Sequence, residues 1–429
     1  MDRRRITLAA LVTISLSLAA CAPSESGRRA PNASTPSVVT PRTSSPKPSP
    51  KPSSPPVAPP TSATPPSVTP PAPGQPTGEF RIVGNDIVDP DGNVFYPIGA
   101  NVAVRQGGFE YGYTFNWRGT ATGRSTDVAA WGWNTVRATV ICNSPGTPSQ
   151  AQVDAGVDAL IDEYTARKIV VMVECHDVTG KNPTPTDARV AGVYRFMERL
   201  AAKYANNPYV WFNVFNEPTE RDGAGDVEAW LTLQRDALAR IRALAPRNVF
   251  VADLPGYGQA VHTFVGERSV TRLGAGQCNV LYGWHGYGAV GKDGQFGRFE
   301  DWADPVRSRA NHVAALKYIV DHDIPVVIGE FGDPLTLEEG TAGLPIWNRN
   351  AARALIELAP AAGVGLLWWH ANGDSNNFLT YSLTADRSAP WDKALTGQGL
   401  SASGRAFWEA SKNKPGGQPF VGDLDASGC

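Results

Sequence analysis

Two short stretches carry the residues best suited to chemistry: "VWFNVFNEPTE" (210–220) and "IPVVIGEFG" (324–332). In each, a run of β-branched and aromatic residues leads to a glutamate, Glu217 in one and Glu330 in the other. A carboxylate at the rim of an apolar sheet is costly to desolvate unless something pairs with it or uses it. Pro218, directly after Glu217, helps stop the strand there. Glutamates ending two different strands suggest a carboxylate pair facing one cavity. Cleavage of a glycosidic bond needs that equipment: one carboxyl protonates the leaving oxygen, and the other attacks the sugar carbon or activates water. Two rim glutamates salt-bridged independently of each other are the bland alternative.

Other polar residues end similar runs. Arg137 lies in "TVRATVI" (135–141), and His176 and Asp177 follow "IVVMVEC". Asn216 precedes Glu217, His285 and Tyr287 close "NVLYGWHGY" (279–287), and Trp368, Trp369 and His370 close "GVGLLWWHA" (363–371). The chain has six histidines, and three of them sit at these ends, which concentrates its proton-transfer groups there.

The elements that must position these residues read as strands alternating with helices. With "FYPIGANV" (95–102) and "NVFVADLP" (248–255), eight near-continuously apolar runs are present, as expected of parallel strands buried on both faces. Amphipathic stretches such as "DARVAGVYRFMERLAAKYAN" and "PVRSRANHVAALKYIVDHD" separate them. The expectation is an α/β fold, a (β/α)8 TIM barrel spanning 79–413, with its active site at the C-terminal strand ends. An open doubly wound sheet would call for a glycine-rich phosphate turn after the first strand, and "PIGANVAV" is not one. No internal repeat is visible.

"FNEP" after one strand and "IGEFG" after a later one resemble glycoside hydrolase family 5, of clan A. Arg137, His176, His285 with Tyr287, and Trp369 continue the resemblance in the family's order, over most of residues 85–375. It implies Glu217 as general acid/base and Glu330 as nucleophile of a retaining double displacement. It further implies that Arg137 and Tyr287 hold Glu330, that Asn216 binds the sugar 2-hydroxyl, that His176 and His285 orient hydroxyls or Glu217, and that Trp369 forms the floor under the sugar. Adjacent Trp368 and Trp369 point to opposite faces of a strand, so only one can enter the mouth. The family often carries a second tryptophan two positions later, where this chain has Ala371.

Segment by segment, "VVMVECHDVTG" and "GVGLLWWHANGD" look most like the family's bacterial endo-β-1,4-mannanases, which implies β-mannan as substrate. A β-1,4-glucanase remains the alternative, since the two sugars differ only in an axial hydroxyl. A non-catalytic carbohydrate-binding protein on the same barrel, or a metal-dependent hydrolase using His176, Asp177 and His285, would be different classes. The expectation is no cofactor and no metal. Of twelve tryptophans, Trp133 and Trp211 read as core, while Trp117, Trp284, Trp302 and Trp347 fall in or near predicted loops and could either stack on sugar rings or pack into the core or the loops.

A net charge of −2 gives no reason to expect nucleic acid as a partner, and a monomer is expected. Residues 1–21 show a basic head (Arg3, Arg4, Arg5), an apolar run and small residues, as a secretory signal does. The finish "LAAC" resembles a lipobox with Cys21 as the lipidated residue; an ordinary signal with a chance cysteine is the alternative. Residues 22–78 contain no aromatic residue and are dominated by Pro, Ser and Thr, so they cannot offset chain entropy by burial and read as a disordered linker. The expected layout is a lipid anchor as the sole membrane contact, a stalk of roughly 3.1 Å per residue, the barrel, and a tail over 414–429, outside the cell or secreted. With Cys21 set aside, Cys142, Cys175, Cys278 and Cys429 allow three disulfide connectivities. Cys142 and Cys175 end neighbouring strands, which favours pairing them beside the cleft and leaves Cys278 with Cys429.

Overall fold

The computed structural model describes residues 77–103, 125–143, 149–288, 303–333, 344–369 and 396–427. The signal, Cys21, almost all of the linker, Trp117, Trp302, His370, Ala371 and Cys429 lie outside the described residues. No helix among the described residues is long and apolar enough to cross a membrane.

A short antiparallel hairpin, β1 (Arg81–Val83) and β2 (Asp86–Val88), precedes the barrel. Eight parallel strands then close on themselves: β3 (Ile98–Ala103), β4 (Thr135–Val140), β5 (Val170–Cys175), β6 (Val210–Asn213), β7 (Phe250–Asp253), β8 (Val280–His285), β9 (Val326–Phe331) and β10 (Gly365–Trp368). Each coincides with one of the eight runs in the sequence. The helices are α1 (Ser125–Ala130), α2 (Gln150–Thr165), α3 (Ala188–Tyr204), α4 (Ala224–Leu244), α5 (Pro305–Asp321), α6 (Leu344–Leu358) and α7 (Ala402–Lys412).

Local chemistry explains where helices start. Asp187 caps α3 by accepting from the Arg189 N–H, and Asp304 caps α5 by accepting from Val306 and Arg307, with Pro305 at the first turn where its missing N–H costs nothing. On α3, buried Val190, Val193, Tyr194, Met197, Leu200, Ala201 and Tyr204 recur at helical spacing and form the stripe that packs on the barrel.

The strands divide their side chains by period two. Outward residues, among them Val171, Val173, Phe212, Trp284 and Trp368, join the core shared with the helices. Inward Val170, Met172, Trp211, Val251, Leu281, Val327 and Leu367 fill the lower barrel. The hairpin plugs that end: Phe80 meets Phe95, Tyr209 and Trp211 edge-on, with ring centres 5.0, 5.5 and 5.2 Å apart. Residues 416–420 return along this region, with Gly417 donating to Val94 and Phe420 to Gly92.

One irregularity positions the site. Trp284 pairs with Ile328, but the next residue, His285, pairs with Glu330, and β10 skips the same position. Gly329 is thus an extra residue on β9. With strict alternation Glu330 would face the helices; the bulge turns it inward and sends Phe331 out to Trp368 and Phe407.

Candidate active site

Above the apolar floor of the barrel the inward positions become polar. Arg137 on β4 is fully buried and lies at the centre. Its Nε donates to Asn213 Oδ1 (2.9 Å), Nη1 to Asn101 Oδ1 (2.9 Å) and Glu330 Oε1 (2.7 Å), and Nη2 to Asn216 Oδ1 (2.6 Å) and Asp253 Oδ2 (3.1 Å). Glu174 Oε1 lies 3.7 Å from Nη1. Burial works against the guanidinium's charge, but Glu174, Asp253, Glu330 and Glu217 outweigh it and raise its pKa. Four carboxylates around one arginine make a site that is short of positive charge and therefore retains protons.

Glu330 also accepts from the Tyr287 hydroxyl (3.0 Å), so each of its oxygens has a donor. Glu217 stands opposite. One of its carboxylate oxygens lies within 4.8 Å of one from Glu330. The backbone of Glu217 is left-handed, with φ of 40°. That conformation is uncommon for a residue with a side chain, and two contacts hold it: the N–H donates to Asp253 Oδ2 (3.2 Å), and the carbonyl accepts from Gly180 (2.8 Å). Burial raises the Glu217 pKa, with the Glu330 charge adding to it and His285 opposing.

His285 joins the two acids. Its Nδ1 is 2.7 Å from Glu217 Oε1 and 3.5 Å from Glu330 Oε2. Its Nε2 is 3.3 Å from Asp253 Oδ2, close enough for ionic attraction but without hydrogen-bond alignment. Burial disfavours the charged ring, yet Glu330, Asp253 and Glu217 push its pKa up to about 10. Glu217 and His285 therefore titrate as a pair and hold a proton more firmly than either would alone.

On the other flank, His176 places Nδ1 at 2.9 Å from Glu174 Oε1 and Nε2 at 3.2 Å from Asn216 Nδ2. An imidazole protonated on Nδ1 satisfies both contacts. Burial opposes its charge, but Glu174 and Glu330 prevail and raise its pKa. Trp369 stacks on this ring with centres 5.7 Å apart. Trp368, its neighbour, is fully buried against Phe331 and Phe407 on the outer face.

Glu217, Glu330, Arg137, His176, Asn216, His285, Tyr287 and Trp369 thus come from six strand ends to one mouth. The family whose description is "Cellulase (glycosyl hydrolase family 5)" matches the chain across residues 99–375, more than half its length. The chain belongs to glycosyl hydrolase family 5. It is 26% identical over 299 residues to mannan endo-1,4-beta-mannosidase of Streptomyces lividans, covering 69% of this chain and 67% of that one. The mannan endo-1,4-beta-mannosidase of Salipaludibacillus agaradhaerens is 25% identical over 313 residues, 72% of this chain and 86% of the relative. Among solved structures, the beta-mannanase from Thermomonospora fusca superposes with a TM-score of 0.54 at 21% identity, over 76% of this chain and 96% of its own. That likeness shows the barrel fold.

This family 5 site holds residues that the strand-end reading missed. Glu174, Asn213 and Asp253 are fully buried one layer below the mouth, joined by Asn101. Their signal was available: each is a lone polar residue inside a β run, at the inward phase set by Met172, Trp211 and Val251. Asp177, by contrast, supports a loop, since its oxygens accept from Cys142 N–H (2.7 Å) and Asn143 N–H (2.9 Å). Cys142 and Cys175 form a disulfide with Cα atoms 5.5 Å apart, and Cys278 is also disulfide-bonded.

Trp284 is a correction. It lies on β8, not in a loop, and is fully buried against the His312 ring at 5.9 Å, so it cannot stack on a sugar. Its run reads alternately in and out, and the outward phase that carries Val280 and Tyr282 also carries Trp284. Trp347 sits on α6, where a side chain at Gly288 would strike it.

Proposed function

We propose that this family 5 glycoside hydrolase cleaves internal β-1,4 linkages of mannan with retention of anomeric configuration. The observation that carries the reading is the separation of Glu217 and Glu330. Carboxyl groups about 5–5.5 Å apart suit retaining hydrolysis, whereas inverting enzymes need roughly 6.5–9.5 Å to admit a water between them. Oxygens within 4.8 Å of each other fall on the retaining side.

Glu330, bonded by Arg137 and Tyr287, attacks the anomeric carbon as a carboxylate. Glu217, whose raised pKa lets it carry a proton, protonates the departing glycosidic oxygen. The covalent glycosyl-enzyme is then hydrolysed by a water from which Glu217, now a base, removes a proton. Asn216 binds the 2-hydroxyl through Nδ2. That group donates to Thr179 Oγ1 at 2.9 Å, so the sugar hydroxyl competes with Thr179 for it. Trp369, stacked on His176, forms the apolar floor under the sugar ring.

The mannan preference is supported by the names of the relatives above, and a β-glucan preference is the outcome to set against it. Assay of the purified chain for reducing ends on mannan, glucomannan, carboxymethyl-cellulose and xylan decides between them. Fastest release from mannan is expected; release from carboxymethyl-cellulose alone would make the enzyme a glucanase.

A further inference from the structure

Asp253 is fully buried at the end of β7, and its two oxygens meet four groups from three other strands. Oδ1 accepts from Asn213 Nδ2 (3.0 Å) on β6. Oδ2 accepts from Arg137 Nη2 (3.1 Å) on β4 and from the Glu217 N–H (3.2 Å) just after β6, and lies 3.3 Å from His285 Nε2 on β8. Among the described residues, no contact of this carboxylate reaches the cleft. We infer that Asp253 is the positioning residue of the acid/base: it seats the left-handed backbone of Glu217 and aligns His285 behind the Glu217 carboxyl, so that proton delivery to the leaving oxygen depends on a group that never touches the substrate.

The surrounding backbone is built to leave this carboxylate room. A Cβ at Gly283, the residue paired with Asp253 across the ladder, would lie 2.2 Å from Asp253 Oδ1. A Cβ at Gly258 would lie 2.6 Å from His285 Cγ, and the carbonyl of Gly258 accepts the His285 N–H at 2.8 Å. The line Asp253, His285, Glu217 places an imidazole between two carboxylates, whose attraction holds the ring in place behind Glu217 and keeps a proton available on its Glu217 side. The charged groups facing this line are Arg137 from β4, Glu174 and His176 from β5, and Glu330 from β9, with the Tyr287 hydroxyl beyond β8. Attraction to His285 and Arg137 offsets burial and holds Asp253 below its ordinary pKa, so it stays ionised through the cycle.

Asp253 also touches Arg137, which holds Glu330, so a rival role lies on the nucleophile's side. The two roles separate by leaving group. Dinitrophenolate departs without protonation, so formation of the glycosyl-enzyme from a dinitrophenyl glycoside needs Glu330 but not the acid. The inference rests on the reading of Glu217 as acid/base, and Glu217→Gln is therefore run beside it.

The experiment measures kcat/KM of the full chain and its variants on mannohexaose and on 2,4-dinitrophenyl β-mannobioside, or the glucose counterparts if the wild type prefers them. Rates are divided by the sites titrated with a 2-fluoro glycoside, so that unfolded molecules do not count. For Asp253→Asn, a loss of about 10²-fold or more is expected on the oligosaccharide and less than about fivefold on the dinitrophenyl substrate. Equal losses on both substrates, or no loss on the oligosaccharide, would overturn the inference. Gly283→Ala keeps the carboxylate but displaces it, and carries the same two outcomes if Asp253→Asn yields no titratable sites. If Glu217→Gln shows no such split, the acid/base reading itself fails; if it does and neither positioning variant follows, only the role of Asp253 fails.

Discussion

At the scale of single residues, the site is a problem in where protons reside. In the proposed mechanism Glu217 must be protonated to act, so kcat/KM is lost as pH rises through its pKa. Because burial raises that pKa above 4.5, the descending limb of the pH profile should lie above the ordinary carboxylate range. Glu217→Gln should flatten that limb and cost about 10²–10⁴-fold on natural substrates. His285 supplies a stability prediction. Its folded pKa is raised from 6.5 to about 10, so its contribution is fully present below pH 6.5 and is lost as pH rises toward 10. Thermal midpoints of the wild type should fall across that window, and those of His285→Gln should change less; parallel slopes would contradict the assignment. The rim acids were legible in the sequence because each lies just past an apolar run, with one residue between it and the run's last large apolar side chain. The layer beneath was harder to read. Glu174 and Asp253 make sense only beside Arg137 on another strand, and such partners are set by barrel closure, not by neighbours in the chain.

At the scale of elements, strand phase decides what each side chain can do. All eight barrel strands were readable from β-branched runs, because parallel strands buried on both faces leave an unbroken apolar signature. The bulge at Gly329 was not readable, since "VVIGEFG" looks like a regular strand. Without the bulge, Glu330 would point at the helices. The tryptophan pair tests phase directly. Trp368→Ala empties a fully buried outer position and should cost about 3–5 kcal/mol of stability. Trp369→Ala should leave stability closer to the wild type and raise KM by about tenfold, the loss of a sugar-stacking face worth ~1–2 kcal/mol. Chemical denaturation and steady-state kinetics on both variants check this, and reversed effects would mean the two faces are misassigned.

At the scale of the whole molecule, a catalytic barrel follows a segment with the composition of a signal, a lipobox and a proline-rich stalk. We propose that the chain is tethered by Cys21 and acts outside the cell, where polymeric substrate is found. Expression of the full chain in a bacterial host should place activity in the membrane fraction, and Cys21→Ser should release it. Equal partition of both forms would remove the anchor from the account. The most direct test of the central claim is to trap the intermediate and follow the product. Inactivation with a 2-deoxy-2-fluoro glycoside, peptide mass mapping, and proton NMR of the first-formed reducing end should find the sugar bonded to Glu330 and the β-anomer appearing first. A label on another residue, or the α-anomer first, would contradict the paired action of Glu217 and Glu330.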